Sequence, residues 1–364
     1  MVSTVSFVST LPSSQRAIVQ NASGKAKLAE DVLVLTLLPG TILVKTIAVA
    51  IQLCDYKMGR MCPSENAVVG TDFSGTIVRI HADTKTSLQL GDLVCGLVHG
   101  SNTIDGQNGA FAEYIRAPAD LVLRVPPGLL PEQAATLGTA LATNCLALWD
   151  TLRLTASPYS IALKPFPVLV YGGSTTVGTM AIQLLRLSGL EPITTCSPHN
   201  TDLVLSYGAT AVLDYSASST ILAIRELTGG RLGYVLDCIV DPESVACCYT
   251  AIGRVGGRYA GLEKFPDEAR ARVAQRRAVK AEFVMRLEVF GKKVELPGEY
   301  GRRASEEQHQ VVVSYFRMFQ RLLNDGKLKP HPLQVIPGAF GAILDGIQLL
   351  QRGVISGKKL VVLV

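Results

Sequence analysis

ILVKTIAVAI, from Ile42 to Ile51, and GTIVRIH, from Gly75 to His81, are rich in β-branched residues and bounded by glycine, proline and polar clusters, which predicts strands. GDLVCGLV, beginning at Gly91, predicts a turn and another strand. The first part of the chain therefore reads as strand-rich with short turns, in keeping with a folded-over, barrel-like sheet. At Pro131 the apolar spacing becomes helical. A proline at a helix start, ahead of EQAATLGTALATNCLALWDTL, predicts a helix there.

From Pro167 the pattern changes. PVLVYGG is a buried-strand run, and Ser174 to Leu187 has helical spacing. EPITTC, ATAVLDY, YVLDCIV and VGGRYAGL follow, separated by helical stretches through HNTDLVLSYG and up to Leu227 and Ile252. Strands alternating with helices in this way specify parallel βαβ units, so the middle block is a doubly wound nucleotide-binding domain. Beyond Tyr300 lie a long helix over EEQHQVVVSYFRMFQRLLNDG and short elements ending in GKKLVVLV. That last strand has no partner in its own segment and is expected to pair with the N-terminal sheet. A chain of 364 residues suits two domains with the active cleft between them.

Apolar residues make up 48% of the chain and charged residues 18%, a globular composition. No apolar run is long enough to span a membrane, and the start, MVSTVSFVSTLPSSQ, lacks the charged and long apolar blocks of a signal peptide. A soluble, cytoplasmic protein is expected. The net charge of +5 is dispersed except in RARVAQRRAVK, from Arg270 to Lys280, a solvated helix face or a patch that steers an acidic partner. Without interleaved aromatics or a recognised motif, it does not point to nucleic acid. The eight cysteines include no C-x-x-C pair, so reduced, mostly buried thiols are expected and no thiolate metal site.

The strongest motif is VLVYGGSTTVGTMAIQLLRLSG: strand, glycine turn, amphipathic helix. A helix N-terminus offers unpaired N–H groups to a dinucleotide pyrophosphate. Gly172 and Gly173 supply the turn and Gly178 permits close packing, while Ser174, Thr175 and Thr176 stand where glycine would let phosphate approach backbone; their hydroxyls are expected to donate to it, with Val177 alongside. About 20 residues on, where an NAD site places an acid on the ribose, the strand ITTC ends in Ser197, Pro198, His199 and Asn200. With no carboxylate to repel a 2′-phosphate, this favours NADPH; the same four residues also suit a helix cap. Tyr215 is placed to stack on adenine, or is structural.

The chain is similar, over essentially its whole length, to the zinc-free, quinone-oxidoreductase-like branch of the medium-chain dehydrogenase/reductase superfamily. GTDFSGTIV, GDLVCG, GAFAEY, PPGLLPEQAATL, YGATAVLDY and the tail DGKLKPHPLQV with GAFGAILDGIQLLQRGVISGKKLVV carry the match. LVYGGSTTV, LLRLSG, TTCSPHN, LDCI and AIGRVGG narrow it to the stand-alone, trans-acting enoyl reductases of fungal polyketide biosynthesis, of the lovastatin type. The resemblance implies an α/β fold: a GroES-like, β-rich catalytic domain from residues 1–163 and 301–364, with a Rossmann NADPH-binding domain, residues 164–300, inserted between. Zinc-dependent relatives carry Gly-His-Glu where Gly70, Thr71 and Asp72 stand, and a four-cysteine lobe absent here, so metal-assisted hydride transfer is disfavoured.

By position, the resemblance places Cys54, Asp55, Tyr56 and Lys57 at the nicotinamide ribose, with Lys57 positioning cofactor and polarising the site. A solvated surface lysine is the other reading. Thr143 is expected to orient the thioester carbonyl, with Asn144, Cys145, Leu146, Ala147, Leu148, Trp149 and Asp150 along the acyl pocket, although a mid-helix threonine also commonly bonds its own backbone. Arg286, Leu287, Glu288, Val289 and Phe290 would form the facing wall, and Ile252, Gly253, Ile355 and Ser356 would approach the cofactor. At Gln52 and Leu53 the chain departs from the family's Asn-Pro pair. No side chain is assigned as the obligatory acid.

The implied partner is a highly reducing polyketide synthase, alone or fused to a nonribosomal peptide synthetase, presenting a chain on its acyl carrier protein. A general NADPH quinone or enone reductase and a non-catalytic NADPH-binding protein are the alternatives. In FVMRLEVFGKKVELPGEYG, Pro297, three glycines and paired lysines would interrupt a flat edge strand, so a monomer is expected.

Overall fold

The computed structural model describes residues 11–364 apart from the side chain of Arg272. The first ten residues of the start read above, and that arginine of the basic run, lie outside the described residues. β1 (Ser14–Gln20) and β2 (Ala26–Leu33) form an antiparallel pair. Then come β3 (Thr41–Ile51), α1 (Leu53–Met61), β4 (Asp72–Ile80), β5 (Leu93–Leu97), β6 (Tyr114–Pro118) and β7 (Val122–Arg124). α2 (Pro131–Ala134), α3 (Gly138–Asn144) and a π-helical turn (Cys145–Thr151) lead into the nucleotide domain. Its strands and helices are β8 (Pro167–Tyr171), α4 (Thr176–Leu187), β9 (Glu191–Cys196), α5 (Thr201–Ser206), β10 (Ala211–Asp214), α6 (Thr220–Leu227), β11 (Tyr234–Asp237), α7 (Pro242–Ala251), β12 (Gly257–Gly261), α8 (Asp267–Gln275) and β13 (Val279–Phe283). A 3-10 turn (Arg286–Phe290), α9 (Glu306–Asn324), β14 (Leu333–Ile336), α10 (Ala339–Gln351) and β15 (Lys359–Leu363) complete the chain.

The nucleotide sheet runs β10-β9-β8-β11-β12-β13 and is parallel throughout. Its central strand β8 is buried on both faces: Val168 and Val170 pack into one core, Leu169 and Tyr171 into the other. The order reverses between β8 and β11, and in such sheets the ligand crevice lies there, beyond the carboxyl ends of the strands.

In the other sheet, ordered β14-β15-β3-β4-β5-β7, the long strand β3 is shared on one edge. Its first half pairs with β6 and its second half with β15, antiparallel, with Leu360 opposite Ile51. The terminal strand thus pairs where the sequence pattern requires.

Two expectations are corrected. The helix starting at Pro131 is three pieces: α2 ends at Ala134, α3 starts at Gly138, and the chain loosens into a π-helical turn at Cys145. That turn is buried by α9, Trp149 stacking on Tyr315 at 4.7 Å and sharing a core with Val168 and Leu236. The outer strand of the nucleotide sheet is β13, ending where FVMRLEVFGKKVELPGEYG begins, so Pro297 and the glycines lie past that edge instead of interrupting it. No helix of the described residues is long and apolar enough to cross a membrane.

Candidate active site

A cleft of about 980 Å³ opens at the carboxyl end of the nucleotide sheet, between it and the catalytic sheet. The turn after β8 forms one end. Gly172 there has φ +81°, and a Cβ on Gly178 would lie 2.5 Å from the Gly172 carbonyl oxygen, so α4 starts hard against the turn. Thr175 is the helix cap: its hydroxyl accepts from Gly178 N–H at 3.0 Å and donates to the Gly172 carbonyl at 2.9 Å. This corrects the expectation that it donates to phosphate, since its proton is already committed. The hydroxyls of Ser174 and Thr176 make no hydrogen bond among the described residues, and both line the cleft with Val177.

At the tip of β9, Ser197 lines the cleft and its hydroxyl donates to the Tyr215 hydroxyl at 3.4 Å. Pro198, His199 and Asn200 do not line it. Asn200 stands at the cap of α5 without a side-chain cap bond; its amide donates to Ser356 Oγ at 2.9 Å, and His199 Nε2 lies 3.0 Å from the same oxygen. These residues fasten the C-terminal tail to the nucleotide domain, with Ile355 and Ser356 on the cleft wall. Ile252 and Gly253 are not brought there. Gly253 N–H donates to Leu232 O ahead of β11, at the amino-terminal edge of the sheet. The residues that follow β12 on the cleft side are Leu262 and Glu263.

The cleft floor, with Gln52, Cys54 and Lys359, rests on a buried polar cluster at the start of α1. Asp55 accepts from Gln52 N–H at 2.7 Å and from the Thr71 hydroxyl at 3.2 Å. Burial pushes its carboxyl up to about 6, against the Gln52 bond and the charges of Lys359 and Arg286. Asp72, 1% exposed, accepts from Gln52 Nε2 and from Thr139 N–H, each at 2.7 Å, with Lys359 Nζ at 3.9 Å. Burial raises the Asp72 carboxyl and lowers the Lys359 ammonium, and their attraction for each other opposes both shifts most strongly. The Gln52 departure thus supplies a hydrogen bond to Asp72. No group of three or more His, Cys, Asp or Glu among the described residues is arranged to hold a metal ion.

Cys54 lies half-buried on the cleft wall. Tyr56 turns away, under the Arg60 guanidinium. Lys57 reaches across the mouth to Glu263, Nζ to Oε2 3.3 Å, and the Tyr300 hydroxyl donates to the other Glu263 oxygen. Despite partial burial, the Tyr300, Lys264 and Lys57 interactions hold the Glu263 carboxyl below its usual range.

Of the expected acyl-pocket helix, only Thr143 lines the cleft. Asn144 donates to Ala140 O and Val177 O, joining α3 to the first turn of α4. Cys145, Leu146, Ala147, Leu148 and Trp149 are core residues, and Asp150 accepts from Gln308. Of the facing wall only Arg286 and Leu287 line the cleft. Glu288 pairs with Arg302, Val289 is buried, and Phe290 stacks on His99. The turn is pinned by His309, whose Nδ1 meets Val289 O at 2.7 Å and Nε2 meets Asp120 at 3.0 Å. Both partners are acceptors, so the imidazolium satisfies both; the Asp120 bond is the first cause of its raised pKa.

Sequence reasoning missed Thr139, Glu263, Tyr300 and the buried His331 as cleft residues. Thr139 is one helical turn before Thr143 on the same face, a signal the sequence does carry. Glu263 and Tyr300 come from separate loops and leave none.

A Rossmann sheet joined to a GroES-like sheet across such a cleft defines the medium-chain dehydrogenase/reductase class. The alcohol dehydrogenase GroES-like domain model matches residues 38–127 and the zinc-binding dehydrogenase model residues 176–280. The chain is 48% identical over 358 residues to the trans-enoyl reductase TwmE of Talaromyces wortmannii, covering 94% of this chain and 96% of that one. It is 46% identical to the trans-enoyl reductase ccsC of Aspergillus clavatus over 99% of both chains. A putative zinc-dependent alcohol dehydrogenase from Rhizobium etli has the same fold, with a TM-score of 0.79 at 21% identity over 96% of this chain and 98% of that one. The chain belongs to the trans-enoyl reductases.

Proposed function

We propose that this chain reduces the α,β-double bond of an enoyl thioester with NADPH, in trans, on a chain held by the acyl carrier protein of a highly reducing polyketide synthase. The observation that supports the cofactor assignment is the tip of β9, where Ser197 and Tyr215 line the cleft and offer hydroxyls to a 2′-phosphate, while the neighbouring Asp214 carboxylate does not line it and is engaged by the Ser216 N–H and hydroxyl. The uncommitted hydroxyls of Ser174 and Thr176, at a helix N-terminus, fit the pyrophosphate. When bound, the nicotinamide supplies the hydride.

Around it the chain's residues position and shield. Lys57 orients the ribose end at the mouth, and Thr143 directs the thioester carbonyl. Phe283, Met285, Leu287 and Leu296 give the acyl chain an apolar wall. The acceptor is already electrophilic, so no Lewis acid is required. The outer strand β13 exposes the charged Lys280 and Glu282, which discourage pairing between strand edges, and the chain is proposed as a monomer on its synthase, which light scattering tests; a dimer mass overturns it.

NADPH oxidation by purified protein with crotonyl-coenzyme A, with NADH and a simple quinone in parallel, tests the reading. Thioester-dependent turnover that prefers NADPH is expected. Quinone turnover alone makes it a general enone reductase, and tight NADPH binding without turnover, even with a carrier-bound chain, makes it a binding protein. Ser197→Asp places a carboxylate at the 2′-phosphate and is expected to raise the KM for NADPH roughly tenfold or more.

A further inference from the structure

Two polar atoms at one end of the cleft have no partner. Thr139 is 4% exposed and its N–H is bound by Asp72, but its buried hydroxyl makes no hydrogen bond. Arg286 Nη1 is likewise buried and unbonded, and the side chain forms no ion pair among the described residues. Both residues line the cleft, and α3, which carries Thr139, packs against the turn that carries Arg286. The Arg286 charge is felt at Cys54, Asp55, Asp72 and Lys359, of which Cys54 and Lys359 line the same cleft.

A buried donor left unpaired costs more than a typical hydrogen bond gains, and a charged one more still. Two such atoms on one wall point to an acceptor that arrives from outside. Asp55 and Asp72 lie buried just beneath the floor, which disfavours a fully charged anion there. An acceptor-only oxygen that gains charge during reaction matches both the donors and the apolar wall beside them.

Resting on the enoyl-thioester reading above, we propose that Arg286 Nη1 and the Thr139 hydroxyl hold the thioester carbonyl oxygen and stabilise the enolate formed there. Hydride adds to the β-carbon. The carbon–carbon π pair joins the α-carbon to the carbonyl carbon, and the carbonyl π pair moves onto oxygen. Water then protonates the α-carbon as the C=O bond re-forms, so the acyl chain gains the two electrons that NADPH loses. Arg286 and Thr139 give up no proton. Thr143, one turn along α3, directs the same carbonyl from the side.

The test pairs kinetics with infrared spectra of crotonyl-coenzyme A, ¹³C-labelled at the carbonyl, bound beside NADP⁺. Arg286→Met is expected to lower kcat about 100-fold or more, leave NADPH affinity unchanged and abolish the low-frequency shift of the bound carbonyl band. Thr139→Val is expected to lower kcat about tenfold, with Thr139→Ser restoring most of it. A folded Arg286→Met within about threefold of the native kcat, or no band shift in the native protein, overturns the proposal. If Arg286→Met does not fold, the native band decides alone. Native protein that reduces quinones and no thioester overturns the enoyl reading itself, whereas native thioester turnover with unaffected variants overturns only the assignment of these two residues.

Discussion

Asp55 carries part of the energetic cost of the buried polar cluster under the cleft. Its carboxyl, buried and raised to about 6, holds its proton more tightly in the folded chain than in the unfolded one. The stability this gives is fully present below about pH 4 and is lost as the pH rises through about 6. Relative to an ordinary aspartate this corresponds to about 3 kcal/mol at most. Asp55→Asn keeps an oxygen for the Gln52 N–H but cannot ionise. Its melting temperature relative to the native protein is therefore expected to climb by several degrees between pH 4 and 7. A difference that stays flat with pH would mean that Asp55 titrates as an ordinary carboxylate.

At the scale of elements, α3 sets one wall of the cleft, the end at which the thioester is proposed to lie. A Cβ on Gly138 would lie 2.2 Å from the Gly96 carbonyl oxygen of β5, which is backbone and cannot swing aside. Gly138→Ala is expected to push the helix outward, costing about 1–3 kcal/mol and displacing Thr139 and Thr143. Thioester turnover should fall well below what lost stability explains, with NADPH affinity kept; equal losses of both, by titration and kinetics, would argue against a local shift. The strand-turn-helix of β8 and α4 was legible in the sequence because a buried strand and an amphipathic helix each carry a local period. The break at Gly138 was not. TLGTALATNCLALW is buried on nearly every side, so it lacks the polar face that would mark its register and boundaries. Ile252 and Gly253 were misplaced for a different reason: they were assigned by position in the resemblance alone, whereas they precede β12 and so lie at the amino end of a parallel sheet, whose ligands bind beyond the carboxyl ends.

Across the whole molecule, Lys57 and Glu263 join the two halves over the mouth of the cleft, from positions no local pattern connects. Their side chains are 50% and 34% exposed, so the pair adds little stability. Its effect falls on entry, since a negative charge that occupies Lys57 opposes an anionic cofactor. Glu263→Gln is expected to leave the melting temperature within about 2 °C and to tighten NADPH binding a few-fold in ~50 mM salt, with the gain gone by ~0.5 M. Unchanged or weaker binding at low salt, measured by fluorescence titration, would show that the bridge does not compete with cofactor.

The pairing of β15 with β3 also has a temporal side. On the ribosome β3 emerges early, while the strand that covers half of one of its edges is made roughly 300 residues later, some 15–60 s at ordinary rates of synthesis. The nucleotide sheet, continuous in sequence, has all its strands first. The catalytic half must therefore wait with an open β edge beside a finished neighbour. That interval, more than the stability of the completed chain, is when chaperones and mispairing partners have access to it.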